Sequence, residues 1–309
     1  MPSSRAVVVL GRGRSGTSVL TRGLQALGVF LGDNFIDPQP SNPTGFWEDW
    51  VINHLNKRLL GLLGLDWKSI SLIGDDQWQR PDVQALRAEA ADYLQACFMS
   101  HSLWGFKDPR TIRLLPFWRA VFQRLGVDDQ YVVAIRNPLS MATSLLKSSG
   151  IEPATSHKLF LVYLVPYLHE IAERPFVVVD YDLLVAEPQE QLARVRRALN
   201  IPFRDTDVAE IERFSTGFLD PNLRHGYFSP DDLDTNPEIS PLIREAYFWL
   251  YQLATDQLPA DASAFWTAWK RLRGAVQMLI TSNPSVSGGK TGQQGWSLSK
   301  LMRRFRGRP

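Results

Sequence analysis

One cysteine, Cys97, serves all 309 residues. No internal disulfide can form, and a thiolate zinc site would need histidines and carboxylates that are scattered along the chain. No uninterrupted apolar run approaches the 18 residues of a membrane span. The first apolar run, Ala6 to Leu10, passes straight into glycines and arginines and is shorter than the apolar region of a signal peptide, so the chain is expected in the cytoplasm. Acidic residues are missing from Ser285 onward, where Lys290, Lys300, Arg303, Arg304, Arg306 and Arg308 concentrate positive charge. The net charge of +2 therefore hides a slightly acidic body and a basic end, a distribution that argues against a surface built to track nucleic acid. Five histidines show no spacing that suggests a metal site or a triad, and no metal ligation is expected.

What is present is the composition of a globular protein, 44% hydrophobic and 21% charged. Four short apolar runs end in polar or glycine-containing turns: 6–11, 103–108, 130–137 and 175–182. Runs that are apolar throughout suit strands covered on both faces. Between them lie stretches with helical periodicity, Ser18 to Leu27, Pro81 to Met99 and Glu187 to Leu199, with Gly28 as a stop signal and Pro188 in a first-turn position. The alternation predicts an α/β fold with a central, mostly parallel sheet and its ligands at the carboxyl ends of the strands. Long loops are expected at Ile36 to Phe46 and Ser215 to Glu238, a single domain over 1–281, a flexible linker over 282–295 and a basic amphipathic tail over 296–309. Trp296, Leu298, Leu301, Met302 and Phe305 would let that tail lie on an anionic membrane surface, giving peripheral contact at its inner face; a solvated tail is the alternative.

Two turns carry the chemistry. In AVVVL-GRGRSG-TSVLTRGLQAL a strand, a glycine-rich turn and a helix bring backbone N–H groups and a helix N-terminus onto one point, an arrangement that holds anions. Against the ATP-binding pattern G-x-x-x-x-G-K-[ST], Gly11, Gly16 and Ser18 match, but Thr17 stands where the lysine belongs. Arg14 can supply the missing cation. A G-x-G-x-x-G pattern at Gly11, Gly13 and Gly16 raises the dinucleotide fold, yet the acid wanted about 20 positions later could only be Asp33 or Asp37, and neither follows a convincing strand. In RNPLSMATS, Arg136 closes a strand, Asn137 and Pro138 start a helix, and Ser144 follows two turns on, so a guanidinium and a hydroxyl can reach a second anion.

With these motifs the sequence resembles the sulfotransferases that use 3′-phosphoadenosine 5′-phosphosulfate (PAPS). GRGRSGTS is similar to their 5′-phosphosulfate loop and RNPLSMATS to their 3′-phosphate motif. Through LGVFLGDNF, NPTGFWED, WGFKDPRT, LPFW, RNPLSMATSL and VVVDYDLL it resembles bacterial sulfotransferase-like proteins of glycan biosynthesis, over roughly residues 6 to 225. The resemblance implies a P-loop, nucleoside-kinase-like fold and transfer of a sulfuryl group from PAPS to an acceptor hydroxyl, most readily of a carbohydrate or glycan, with 3′-phosphoadenosine 5′-phosphate (PAP) as product and no metal required. Carried over to this chain, Arg14, Ser15, Gly16, Thr17 and Ser18 would hold the 5′-phosphosulfate, Arg136 and Ser144 the 3′-phosphate, and Arg224 would close on the latter. That last match departs from the family's usual Arg-Lys-Gly.

Sulfuryl transfer between two oxygens asks for cations on the transferring group and a base for the acceptor proton. Lys107 joins Arg14 as the second cation, and Glu48 in GFWED is the leading base, with His54 as its rival and an ordinary helix-start acid as the plain alternative. Asp108 would pair with Arg14 or Arg110. Phe46, Trp47, Trp50, Trp67 and Trp78 are candidates for stacking on sugar rings. Two other readings compete: a small-molecule kinase, with Asp180 as its magnesium-holding acid, and a binding protein that has kept the fold without catalysis. Oligomeric state is not encoded in any of these motifs.

Overall fold

The computed structural model describes residues 4–39, 42, 44–219 and 226–282. Four strands, β1 (Arg5–Leu10), β2 (Leu103–Lys107), β3 (Asp128–Ile135) and β4 (Phe176–Asp180), form one sheet in the order β2-β1-β3-β4. Every pairing is parallel, with Val9 opposite Lys107 and Ile135 opposite Asp180.

The strands are covered on both faces, as their continuous apolar runs require. Ala6, Val8 and Leu10 of β1, with Tyr131, Val133, Phe176 and Val178, face a core completed by α2 (Trp50–Leu62), α3 (Pro81–Cys97), α4 (Leu115–Leu125) and α6 (Pro153–Leu164). Val7 and Val9, with Val132, Ala134, Val177 and Val179, face the opposite core, built from α1 (Thr17–Ala26) and α8 (Pro188–Ala198). Burial of each such side chain stabilises the fold by about 1.5–3 kcal/mol. Helices α5 (Pro138–Ser149), α7 (Tyr181–Ala186), α9 (Asp205–Arg213), α10 (Pro230–Thr235), α11 (Pro241–Ala254) and α12 (Ser263–Thr281) complete the described chain. Among the described residues no helix is long and apolar enough to cross a membrane.

All four strands run the same way, so the turns that follow them meet at one edge. The chain leaves β1 toward β2 on one side and returns to β3 on the other, which places a topological switch point between β1 and β3. The two turns from which the sequence leads one to expect anion binding, after β1 and after β3, flank that switch point.

The stretch expected as a long loop, Ser215 to Glu238, is partly helical. Phe214–Phe218 forms a π-helical turn and α10 starts at a capping box, in which the Ser229 hydroxyl accepts from the Asp232 amide and the Asp232 carboxylate accepts from the Ser229 amide. Leu233 anchors this helix in the core at 1% exposure. The linker beyond Ser282 and the basic tail lie outside the described residues.

Candidate active site

Glycine is required twice in the turn after β1. Gly11 has φ +141°, and a Cβ there would lie 2.6 Å from the Ala134 carbonyl oxygen; Gly16 has φ +84°, and its Cβ would lie 2.3 Å from the Tyr181 ring. Arg14 also adopts a left-handed φ of 76°. The Ser15 hydroxyl and amide both donate to the Arg12 carbonyl, at 2.6 and 3.2 Å, so this side chain braces the loop from inside. Helix α1 starts at Thr17 with no side chain capping it, which leaves its first-turn amides available to an anion.

The turn after β3 joins the first one directly. Arg14 Nε donates to Ser144 Oγ at 2.8 Å across 130 residues of sequence. Burial, and then the like charge of Arg136, lower the Arg14 pKa, so two guanidinium groups sit close enough to oppose each other's charge. Such a pair is relieved by an anion with charge at both ends. Arg136 stacks over the Tyr181 ring at 4.5 Å and donates to the Gly226 carbonyl at 2.9 Å, while Asn137 caps α5 as its sequence predicts. Arg224 lies outside the described residues.

A cavity of about 350 Å³ opens beside the first turn, within the range of small-molecule sites. Arg12, Arg14, Thr17, Ser18, Glu48 and Lys107 are among its lining. Lys107 ends β2 at 1% exposure; its Nζ donates to Glu48 Oε1 at 2.8 Å and to Ser18 Oγ at 3.2 Å. The second carboxylate oxygen of Glu48 accepts from Asn53 Nδ2 at 2.7 Å, and the same amide reaches Asp108 Oδ2 at 3.2 Å. Asp108 is wholly buried, burial raises its pKa, and its ion pair with Arg110 at 2.6 Å opposes that rise.

Backbone geometry sorts the neighbours of Glu48. Trp47 has φ 56°, which turns its ring away from the cavity onto Phe35, Phe218 and the guanidinium of Arg22. Asp49 takes the helix-start role: it caps α2 by accepting from the Ile52 amide at 2.9 Å and accepts from the Tyr93 hydroxyl at 2.7 Å, and burial pushes its pKa up to about 6. Glu48 is thereby left facing the cavity, at 7% exposure.

Several sequence expectations need correction. His54 does not line the cavity; it points off the adjacent face of α2 and stacks on Trp50 at 5.4 Å. Asn53 and Lys57, one turn apart on the same helix, take the place it was assigned. Of the aromatic candidates only Phe46 and Trp67 line the cavity, joined by Tyr163, whereas Trp78 belongs to the core and Trp50 lies outside at 39% exposure. Asp180 is not free to hold magnesium: it accepts from the amides of Asp182 and Leu183 as the cap of α7, and from the Tyr247 hydroxyl. Among the described residues no group of three or more His, Cys, Asp and Glu could hold a metal ion.

A family model described as "Sulfotransferase family" matches residues 6–205, about two-thirds of the chain and all four strands. This chain belongs to the sulfotransferase family. It is an enzyme of the class that takes its sulfuryl group from PAPS. Similar solved structures include the sulfotransferase STF1 from Mycobacterium tuberculosis H37Rv, 18% identical over 68% of this chain and 71% of that one, with a TM-score of 0.43. Another is the sulfotransferase domain of the Synechococcus PCC 7002 olefin synthase, 19% identical over 84% and 98%, with a TM-score of 0.44. No curated protein matches the chain.

Proposed function

We propose that this sulfotransferase moves the sulfuryl group of PAPS onto a hydroxyl of a carbohydrate or glycan, with Glu48 as the base. The observation that carries the reading is the buried ion pair between Glu48 and Lys107 inside a cavity that Arg14, Thr17 and Ser18 also line. The donor chemistry fits these residues, because the uncapped start of α1 and the guanidiniums of Arg14 and Arg136 form an anion-holding set in which no carboxylate among the described residues is bonded to Arg14. Arg14, Gly16, Thr17 and Ser18 would hold the 5′-phosphosulfate, with Ser15 shaping the loop, while Arg136 and Ser144 would hold the 3′-phosphate.

In the transfer, Glu48 takes the acceptor's hydroxyl proton as that oxygen bonds to sulfur; the bond from sulfur to the bridging oxygen breaks, and PAP leaves with the electron pair. Lys107 sits between the base and the loop, so its charge can shift from Glu48 toward the transferring group as the carboxylate is protonated. Asn53 orients the carboxylate. For the acceptor, the rings of Phe46 and Trp67 and the polar side chains of Gln39 and Asn42, all lining the cavity, suit a sugar, which presents both an apolar face and hydroxyls. A kinase reading has lost its magnesium acid, since Asp180 is committed to capping.

The test is transfer of radiolabelled sulfuryl groups from PAPS to parallel sets of oligosaccharides and of phenolic or steroidal alcohols. The proposal expects product on the oligosaccharides, lost in Glu48→Gln. Product on the second set alone would overturn the carbohydrate assignment, and normal turnover by Glu48→Gln would overturn the base.

A further inference from the structure

Arg12 is a buried cation that neither the fold nor the proposed transfer uses. At 3% exposure its guanidinium lies between the faces of Trp67 and Tyr163, 5.4 and 5.5 Å from their centroids. Nη1 donates to the neighbouring Gly13 carbonyl, whereas Nε and Nη2 have no hydrogen-bond partner among the described residues. Those two nitrogens form one edge of the guanidinium, the two-pronged side that matches a pair of oxygens on a carboxylate, phosphate or sulfate. Arg113 provides the contrast. It also stacks on Tyr163, at 5.2 Å, but donates both terminal nitrogens to the carbonyls of Ser69 and Ser71, as a structural arginine does.

The charge around Arg12 points the same way. Of the charged side chains among the described residues that line the cavity, Arg12, Arg14, Lys57, Lys107 and Arg110 are cationic and only Glu48 is acidic. Lys107 is paired with Glu48, and Arg110 with Asp108. Arg14 stands at the donor loop beside Ser144. Among the described residues that leaves Arg12 and Lys57 without an ion pair; Lys57 still feels the charges of Asp108 and Glu48, whereas Arg12 stands against Trp67 and Tyr163. Tyr163 in turn fixes the Trp67 segment by donating to its carbonyl at 2.7 Å. A desolvated charge in such a place is stabilised by an incoming anion.

We infer that the acceptor is itself anionic, carrying a carboxylate, phosphate or sulfate near the hydroxyl to be sulfated, and that Arg12 binds that group while Lys57 adds positive charge to the same cavity. This rests on the sulfotransferase reading of the cavity and adds the charge of the substrate to it. Trp67 and Tyr163 hold the Arg12 plane in place, so the site selects for charge rather than for an uncharged sugar alone.

The experiment is calorimetric titration of the PAP-saturated protein with methyl β-D-glucuronide, glucose 6-phosphate and methyl β-D-glucoside. At least one anionic sugar is expected to bind about tenfold or more tightly than the neutral one. Arg12→Gln should remove that preference while PAP affinity stays within about threefold. Lys57→Gln, at an exposed position of α2, should reduce the preference independently. Equal affinity for all three sugars, including no measurable binding of any, would overturn the inference. So would a loss of PAP affinity of about tenfold in Arg12→Gln, since that would give Arg12 to the donor. Failure of PAP to bind the wild-type protein is a different result, and would sink the donor reading beneath it.

Discussion

Replacing Glu48 with glutamine separates the ion pair from the shape of the site. The Lys107 side chain is 1% exposed and that of Glu48 is 9% exposed, so the variant leaves a buried ammonium without its carboxylate. Breaking a buried pair costs about 3–5 kcal/mol, and the lower end applies because the glutamine carbonyl can still accept from Lys107. At roughly 2 °C per kcal/mol for a chain of this size, the melting temperature of the ligand-free variant should fall by about 6 °C. Bound PAP supplies negative charge near Lys107, so saturating PAP should raise the variant's melting temperature more than the wild type's. Loss of a general base slows transfer by about 10²–10⁴-fold, or roughly 3–5.5 kcal/mol of barrier. Differential scanning with and without PAP, together with single-turnover transfer, reads both quantities. An unchanged melting temperature would show that the pair is not buried as described, and turnover at the wild-type rate would remove Glu48 from catalysis.

Three further outcomes follow from the geometry. Asn53→Ala should lower kcat by about tenfold with little change in PAP affinity, since the amide orients Glu48 without touching the donor; an unchanged kcat would deny it that role. Gly16→Ala should destabilise the fold by about 1–3 kcal/mol and abolish PAP binding, because the new Cβ meets the Tyr181 ring in a left-handed backbone; normal PAP titration would contradict this. Asp49 has its pKa raised from 3.8 to about 6 by burial, so the folded protein binds its proton more tightly than the unfolded chain does, and stability from this group is lost as pH rises from about 4 to 6. Asp49→Asn keeps a side-chain oxygen for the cap and should gain on the wild type by up to about 3 kcal/mol across that window, seen in urea titrations at pH 4.5 and 6.5; parallel pH profiles would refute the shift.

The sheet was legible because its strands are buried on both faces and therefore read as unbroken apolar runs. The backbone of the two turns proposed to hold anions was legible because glycine, proline and asparagine have local backbone meanings that one sequence displays. The proposed base was harder to single out. Glu48 and Asp49 are adjacent acids before the same helix, and only the left-handed turn at Trp47 decides that one caps and the other faces the cavity. His54 misled because chemical type was weighed without helical phase: Asn53 and Lys57 share the cavity face, and His54 lies about 100° around the helix from Asn53. The spacing of Asn53 and Lys57 was the available signal. Arg12 gave no signal at all, since its environment is made by Trp67 and Tyr163, distant in sequence and brought together only by packing.

The most direct test of the donor site is thermal stabilisation by PAP, compared with ATP and magnesium, for the wild type, Arg14→Ala and Arg136→Ala. PAP at a hundred times its dissociation constant should add about 2.7 kcal/mol to the wild type without metal, and at that same concentration much of this should be lost in each variant. Stabilisation by ATP with magnesium alone, or by PAP undiminished in both variants, would contradict the assignment of the two turns to one bisphosphate nucleotide.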